Sequence, residues 1–130
     1  MKIHHFAMYV KDLEKTREFY EKYFGAKANE LYYNPKSGLK TYFLTFASGV
    51  ALEIMTKPGV ASAAFDHGEE YTGYIHLALA VGAKESVDEL TKRLREDGYG
   101  IISEPRTTGD GYYESCVKDP EGNRIEIVAG

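Results

Sequence analysis

The chain carries the same pattern twice, and that repetition constrains its fold more than any other feature. The stretch "HFAMYV" (5–10) reads His, apolar, Ala, apolar, any residue, Val; "HLALAV" (76–81) reads the same. Further on, "LEI" (52–54) is echoed by "IEI" (125–127). His5 and His76 stand 71 residues apart, and Glu53 and Glu126 stand 73 apart. Self-similarity at a nearly fixed period marks a duplicated structural unit.

The segments between these landmarks repeat as well. After the first histidine strand, Asp12 is placed to cap a helix. Its inward stripe would be Thr16, Phe19, Tyr20, Tyr23 and Phe24, at i, i+3, i+4, i+7, i+8 spacing, and Gly25 would end it. After the second, "SVDE" (86–89) has the form of a capping box. Val87, Leu90, Thr91 and Leu94 then make the stripe, and Gly98 stops the helix. Strand-like segments follow each helix: around 28–33, 41–46 and 50–55 in the first half, and around 100–103, 112–117 and 124–128 in the second. The turn "DPEGN" (119–123) has Pro and Gly where a tight turn needs them. Each half therefore reads β-α-β-β-β, an α+β chain built from two such modules. Module 1 covers about 1–57 and module 2 about 74–130. A connector at 58–73 is rich in Gly and Ala and carries His67, which reads as a solvated loop residue.

With 130 residues, 43% of them hydrophobic and 28% charged, the chain suits one domain, 1–130, with a sizeable core. A net charge of −4 leaves no electrostatic footprint for nucleic acid or an anionic membrane. No run approaches the ~18 apolar residues of a membrane span. The start "MKIHHFAMYV" alternates like a strand and lacks the long apolar segment of a secretory signal. Cys116 has no second cysteine to pair with, so a reducing, cytoplasmic setting is expected, and nothing around it signals an activated thiolate.

Alternation along the strands sorts the side chains by face. His5 shares a face with Ile3, Ala7 and Tyr9, and His76 with Tyr74, Ala78 and Ala80. Ile75, Leu77, Leu79 and Val81 should face the helices. Glu53 lies with Ala51 and Met55, and Glu126 with Arg124 and Val128. Four potential ligands thus fall on the faces away from the helices, with alanines leaving room beside both histidines. A buried carboxylate needs a partner or a metal. Two carboxylates converging with two imidazoles call for a cation between them. A mixed N and O donor set suits Zn²⁺, Ni²⁺, Co²⁺, Mn²⁺ or Fe²⁺.

The motifs "HHFAMYVKDLEKTREFYEKYFG", "LEIM", "GYIHLALAV" and "DPEGNRIEIV" together resemble the vicinal oxygen chelate superfamily of glyoxalases, bleomycin resistance proteins and dioxygenases. The likeness is greatest to the glyoxalase I (lactoylglutathione lyase) branch and covers nearly the whole chain outside the connector. It implies two βαβββ modules forming a cup-shaped mixed sheet, commonly completed in a homodimer. It also implies a metal held by His5, Glu53, His76 and Glu126, with nickel or zinc first and cobalt, manganese or iron as alternatives. Extradiol dioxygenases and fosfomycin-inactivating thiol transferases use a His, His, Glu triad. Methylmalonyl-CoA epimerases typically carry Gln at the position of Glu53, and bleomycin-binding members lack the metal set. Glu53 therefore favours the glyoxalase branch over these relatives.

The resemblance implies a lyase/isomerase acting on a 2-oxoaldehyde–thiol adduct through a metal-bound enediolate. Glu126 would be the base and Glu53 its partner. The alternatives are a non-catalytic small-molecule binding or resistance protein, and another metal enzyme of the superfamily. Three positions depart from the bacterial glyoxalase I pattern. Tyr9 stands where an Arg helps hold glutathione, Lys57 stands for an Asn, and Arg106 falls two residues before the basic residue of the loop preceding the penultimate strand. Tyr9, Lys57 and Arg106 become the candidates for gripping a polar or anionic substrate tail, with an altered preference for the carrier thiol.

Overall fold

Parallel pairing of the first and last strand of each half organises the chain in the computed structural model, which describes residues 1–62, 70 and 72–130. The elements run β1 (His5–Tyr9), α1 (Leu13–Phe24), β2 (Lys27–Ala28), β3 (Tyr32–Asn34), β4 (Leu39–Thr45), β5 (Ala51–Thr56), β6 (His76–Gly82), α2 (Lys84–Glu96), β7 (Ile101–Thr107), β8 (Tyr113–Lys118) and β9 (Arg124–Ala129). They fall into two compact units, Met1–His67 and Gly68–Gly130. The first sheet has the order β1-β5-β4-β2, with β3 also on β4, and the second has β6-β9-β8-β7. In each, the histidine strand runs parallel to the glutamate strand, and the remaining pairs are antiparallel. The fold class is α+β, and both halves are β-α-β modules extended by further strands.

The helix signals act much as the residues dictate in α1. The Asp12 carboxylate accepts from the Lys15 backbone N–H at 3.0 Å, and Gly25 closes the helix at φ 63°. In α2 the capping box is not used. The helix begins at Lys84, behind an Ala83 cap that offers no side-chain bond, and Ser86 lies inside the first turn. Gly82, at φ 98°, turns the chain directly out of β6 and starts the helix three residues early.

Each helix covers one face of its sheet. Phe19 and Tyr20 are buried with Leu44, Leu52 and Ile54 in the first unit, and Val87 and Leu94 with Val117, Ile125 and Ile127 in the second. All are at most 5% exposed. Thr16 and Thr91 also lie in these buried stripes, and Thr91 Oγ1 hydrogen-bonds the buried Ser115 hydroxyl at 2.6 Å. On β6, Leu77, Leu79 and Val81 are the half-buried set and His76, Ala78 and Ala80 the exposed one, as alternation requires.

Two strands differ from their sequence expectation. The segment around 28–33 is two short pieces on one edge of β4. Between them the Asn29 carboxamide takes the Phe43 N–H at 2.7 Å, substituting a side chain for a ladder bond. The segment at 100–103 extends to Thr107, which puts Arg106 on β7 rather than in the loop that follows.

Candidate functional site

On the open face of each sheet a histidine and a glutamate stand in the same register. In the first unit Ala7 pairs with Glu53 and His5 with Ala51; in the second, Ala78 pairs with Glu126 and His76 with Arg124. In both, the glutamate sits across from the alanine two residues after the histidine, so the imidazole and carboxylate lean toward each other diagonally. His5 Nε2 is 3.6 Å from Glu53 Oε2, and His76 Nε2 is 3.1 Å from Glu126 Oε2. Side-chain exposure matches pairwise: 37% and 36% for the histidines, 18% and 22% for the glutamates. Flanking residues Leu52, Ile54, Ile125 and Ile127 point into the cores and fix the backbone that presents the carboxylates.

Within each unit, then, the histidine and glutamate expected as ligands meet. Among the described residues no group of three or more His, Cys, Asp or Glu is gathered to hold a metal ion. The donor set fits a divalent ion chemically. Each pair offers one nitrogen and one carboxylate oxygen facing each other beside small side chains.

The surroundings of the two pairs differ. In the first unit the His5 ring stands edge-on to Phe43 with centroids 5.4 Å apart, and His4 Nδ1 lies 2.7 Å from His5 Nδ1. Lys57 Nζ lies 5.4 Å from the centre of the Tyr9 ring, so two of the candidate substrate-gripping residues come together at one end of β1. In the second unit Cys116 is the cross-strand partner of Glu126, and Glu114 lies two residues along, facing Val128 and paired with Arg106. Arg106 Nη1 donates to the Ser103 hydroxyl at 2.6 Å. Arg124 reaches Glu70 at 3.2 Å.

Electrostatics follow from this crowding. Partial burial holds the Glu114 carboxyl above its ordinary range, and the negative charge of Glu126 adds to the effect, with Arg106 and His76 opposing it. Burial likewise pushes the Cys116 thiol up, with Glu126 again contributing, which keeps the sulfur protonated and unreactive.

Glu114, Phe43 and His4 are the neighbours that reading along the sequence passes over. Counting outward from the DPEGN turn would have found Glu114. Lys118 pairs with Arg124, Cys116 with Glu126 and Glu114 with Val128, so "YESCVK" places Glu114 on the Glu126 face. His67 lies outside the described residues.

Residues 2–127 match the profile of the Glyoxalase/Bleomycin resistance protein/Dioxygenase superfamily. The uncharacterized protein YqjT of Bacillus subtilis is 28% identical over 134 residues, spanning 98% of both chains. A lactoylglutathione lyase of Arabidopsis thaliana is 31% identical over 128 residues, which cover 95% of this chain and 42% of that one. Among solved structures, the trypanothione-dependent glyoxalase I of Leishmania major superposes with a TM-score of 0.78 at 26% identity, over 99% of this chain and 86% of that one. A mutant glyoxalase I of Zea mays gives a TM-score of 0.79 at 25% identity, over 99% of this chain and 44% of that one. The chain thus spans less than half the length of the plant proteins, and matches the Bacillus protein nearly end to end. By profile, fold and duplicated sheet register, the chain belongs to the glyoxalase/bleomycin resistance protein/dioxygenase superfamily, the vicinal oxygen chelate proteins.

Proposed function

We propose that the chain is a divalent-metal-dependent lyase of the glyoxalase I type, converting the adduct of a 2-oxoaldehyde and a low-molecular-weight thiol into a 2-hydroxyacyl thioester. The observation that carries this reading is the pair of facing His–Glu couples, His5–Glu53 and His76–Glu126, repeated in one register on two open sheet faces. His5, Glu53, His76 and Glu126 would hold the metal, nickel or zinc first and cobalt, manganese or iron otherwise. A bound divalent ion supplies Lewis acidity toward two neighbouring substrate oxygens.

The rest of the work falls to the chain. Glu126 takes the proton from the carbon bearing the thiol and returns it to the adjacent carbon. The Cys116 and Glu114 side chains lie beside it on the same sheet face. Glu53, at the equivalent position in the first unit, would serve as its partner. Tyr9, Lys57 and Arg106 hold the polar tail of the carrier.

Relatives named lactoylglutathione lyase support the reaction class, and the trypanothione-dependent Leishmania enzyme supports variation in the carrier thiol within it. Tyr9 in place of an arginine forfeits a charge-assisted bond to a carrier carboxylate. Such a bond is worth about 1.5–3 kcal/mol, or roughly tenfold to hundredfold in affinity. The reading takes 1–130 as one domain of a homodimeric, cytoplasmic enzyme, a setting in which its single cysteine stays reduced.

The test is thioester formation from methylglyoxal with glutathione and with other small thiols, each with added Ni²⁺ or Zn²⁺. Turnover with one thiol, poor saturation by glutathione, and a fall of at least about a hundredfold in Glu126→Gln support the reading. Stoichiometric metal binding without turnover on any thiol overturns it.

A further inference from the structure

His4 has no counterpart in the repeat. The residue before His76 is Ile75, whereas from the histidine onward both strands follow the pattern His, apolar, Ala, apolar, any residue, Val. Residue 4 lies just ahead of β1, which begins at His5, and its carbonyl accepts from the Ala51 N–H at 3.5 Å. Strict alternation would send adjacent side chains to opposite faces. Here the two rings meet instead, with centroids 5.0 Å apart, planes at 80°, and Nδ1 to Nδ1 at 2.7 Å.

Two ring nitrogens at that distance must share one proton, with one donating and the other offering its lone pair. His5 uses its other nitrogen, Nε2, toward Glu53. If His5 Nδ1 carries the proton, Nε2 presents a lone pair in the direction of the glutamate. If His4 Nδ1 carries it, Nε2 carries the His5 proton and is useless as a ligand. Only the first arrangement lets His5 bind a cation.

We infer that His4 is a positioning residue for His5. It accepts the His5 Nδ1 proton, and so holds the imidazole in the tautomer and orientation that present Nε2 to a divalent metal. The inference rests on the ligand assignment above. Partners of this kind behind a ligating histidine typically change metal affinity by about 10- to 100-fold. In the second module the position before His76 is Ile75, whose side chain offers no acceptor.

The repeat supplies the variant. His4→Ile installs the residue that the second module carries at this position, so the strand start should tolerate it. His4→Asn keeps an acceptor. Affinity for Zn²⁺ and Co²⁺ is measured by competition with a chromophoric chelator, alongside the visible spectrum of the Co²⁺ protein and thermal denaturation of the metal-free forms. Expected results are unchanged melting for His4→Ile, a 10- to 100-fold loss of affinity with an altered Co²⁺ spectrum, and recovery of most of the affinity in His4→Asn. His5→Ala should abolish tight binding. If His5→Ala binds as the wild type does, the ligand assignment falls and the role of His4 with it. If His5→Ala loses binding while His4→Ile keeps wild-type affinity and spectrum, the role of His4 alone is overturned. In Zn²⁺-loaded protein, a long-range ¹H–¹⁵N spectrum showing His5 protonated at Nδ1 supports the proposed tautomer; protonation at Nε2 overturns it.

Discussion

Glu114 shows how a single residue can work against the fold it belongs to. Its carboxyl sits on the open face of the second sheet, near Glu126 and cross-strand from Arg106, and its pKa is raised from the ordinary 4.5, first by burial and then by the Glu126 charge. A carboxyl that is harder to ionise in the folded state than in the unfolded chain leaves stability intact at acid pH. It loses stability as pH climbs through the ordinary carboxylate range and on to the raised folded value. Glu114→Gln should therefore stabilise the metal-free protein near pH 7, by less than about 1 kcal/mol given the solvent screening at this half-buried site, and have no effect well below the carboxylate range. Urea denaturation at the two pH values, in the presence of a chelator, checks this. Loss of stability at pH 7, or the same offset at both, would refute it. Such residues are the hardest to read from sequence. His5, His76, Glu53 and Glu126 declare themselves because each interrupts an apolar strand and recurs in the repeat. Glu114 and Phe43 acquire meaning only once β8 and β4 are laid beside the glutamate strands, and the His4–His5 contact breaks the alternation on which the sequence reading depends.

Among the elements, two local devices tie helix to sheet and strand to strand beside the glutamate strands. In both units a tyrosine from the strand beyond the glutamate strand reaches back to an acid on the helix. Tyr42 donates to Glu14 at 2.8 Å, and Tyr113 donates to Asp88 at 2.7 Å. A cation lies over each ring, Arg17 at 5.6 Å and Lys84 at 5.1 Å. The β8–β9 turn is held more tightly. Asp119, 4% exposed, accepts from the Glu121 and Asn123 backbone N–H groups at 2.9 and 2.8 Å and from the Asn123 side chain at 2.9 Å. Asp119→Ala strands two backbone donors next to the Glu126 strand and should cost about 1–3 kcal/mol. Asp12→Ala removes one exposed cap bond and should cost ~1 kcal/mol. Chemical denaturation gives both values, and an Asp12 effect exceeding the Asp119 effect would contradict the ranking. The turn and the first helix were legible because DPEGN and Asp12…Gly25 are local signals. The start of α2 was not, because the Gly82 bend takes precedence over a well-formed capping sequence four residues later, and the break between β2 and β3 depends on a long-range bond from Phe43 to Asn29.

At the scale of the whole molecule, β1 and β6 are, among the described residues, the end strands of their sheets, and these are the strands that carry His5 and His76. An end strand leaves a row of backbone donors and acceptors to be covered. Apolar groups stand exposed on and beside these strands: Ile3, Phe6 and Tyr9 on one, Tyr74 and Ile75 by the other. Among the described residues each unit brings one histidine and one glutamate together, and no larger ligand group is gathered. A second copy that covers the exposed strands could also bring the first-unit pair of one chain to the second-unit pair of another. Mixing two inactive proteins tests this directly. His5→Ala disables the first-unit half and His76→Ala the second. If sites were built within one chain, every site in a mixed dimer would lack one histidine, and no tight metal binding would return. If each site draws on both chains, a mixed dimer has one site missing both histidines and one site fully intact. Refolding the two variants together should then restore about a quarter of wild-type metal, the share of intact sites that random pairing in a two-fold dimer leaves. Light scattering on the same sample should give a dimer mass. Dimers with no restored metal would assign each site to a single chain, and monomers with full metal binding in the wild type would remove any role for a second copy.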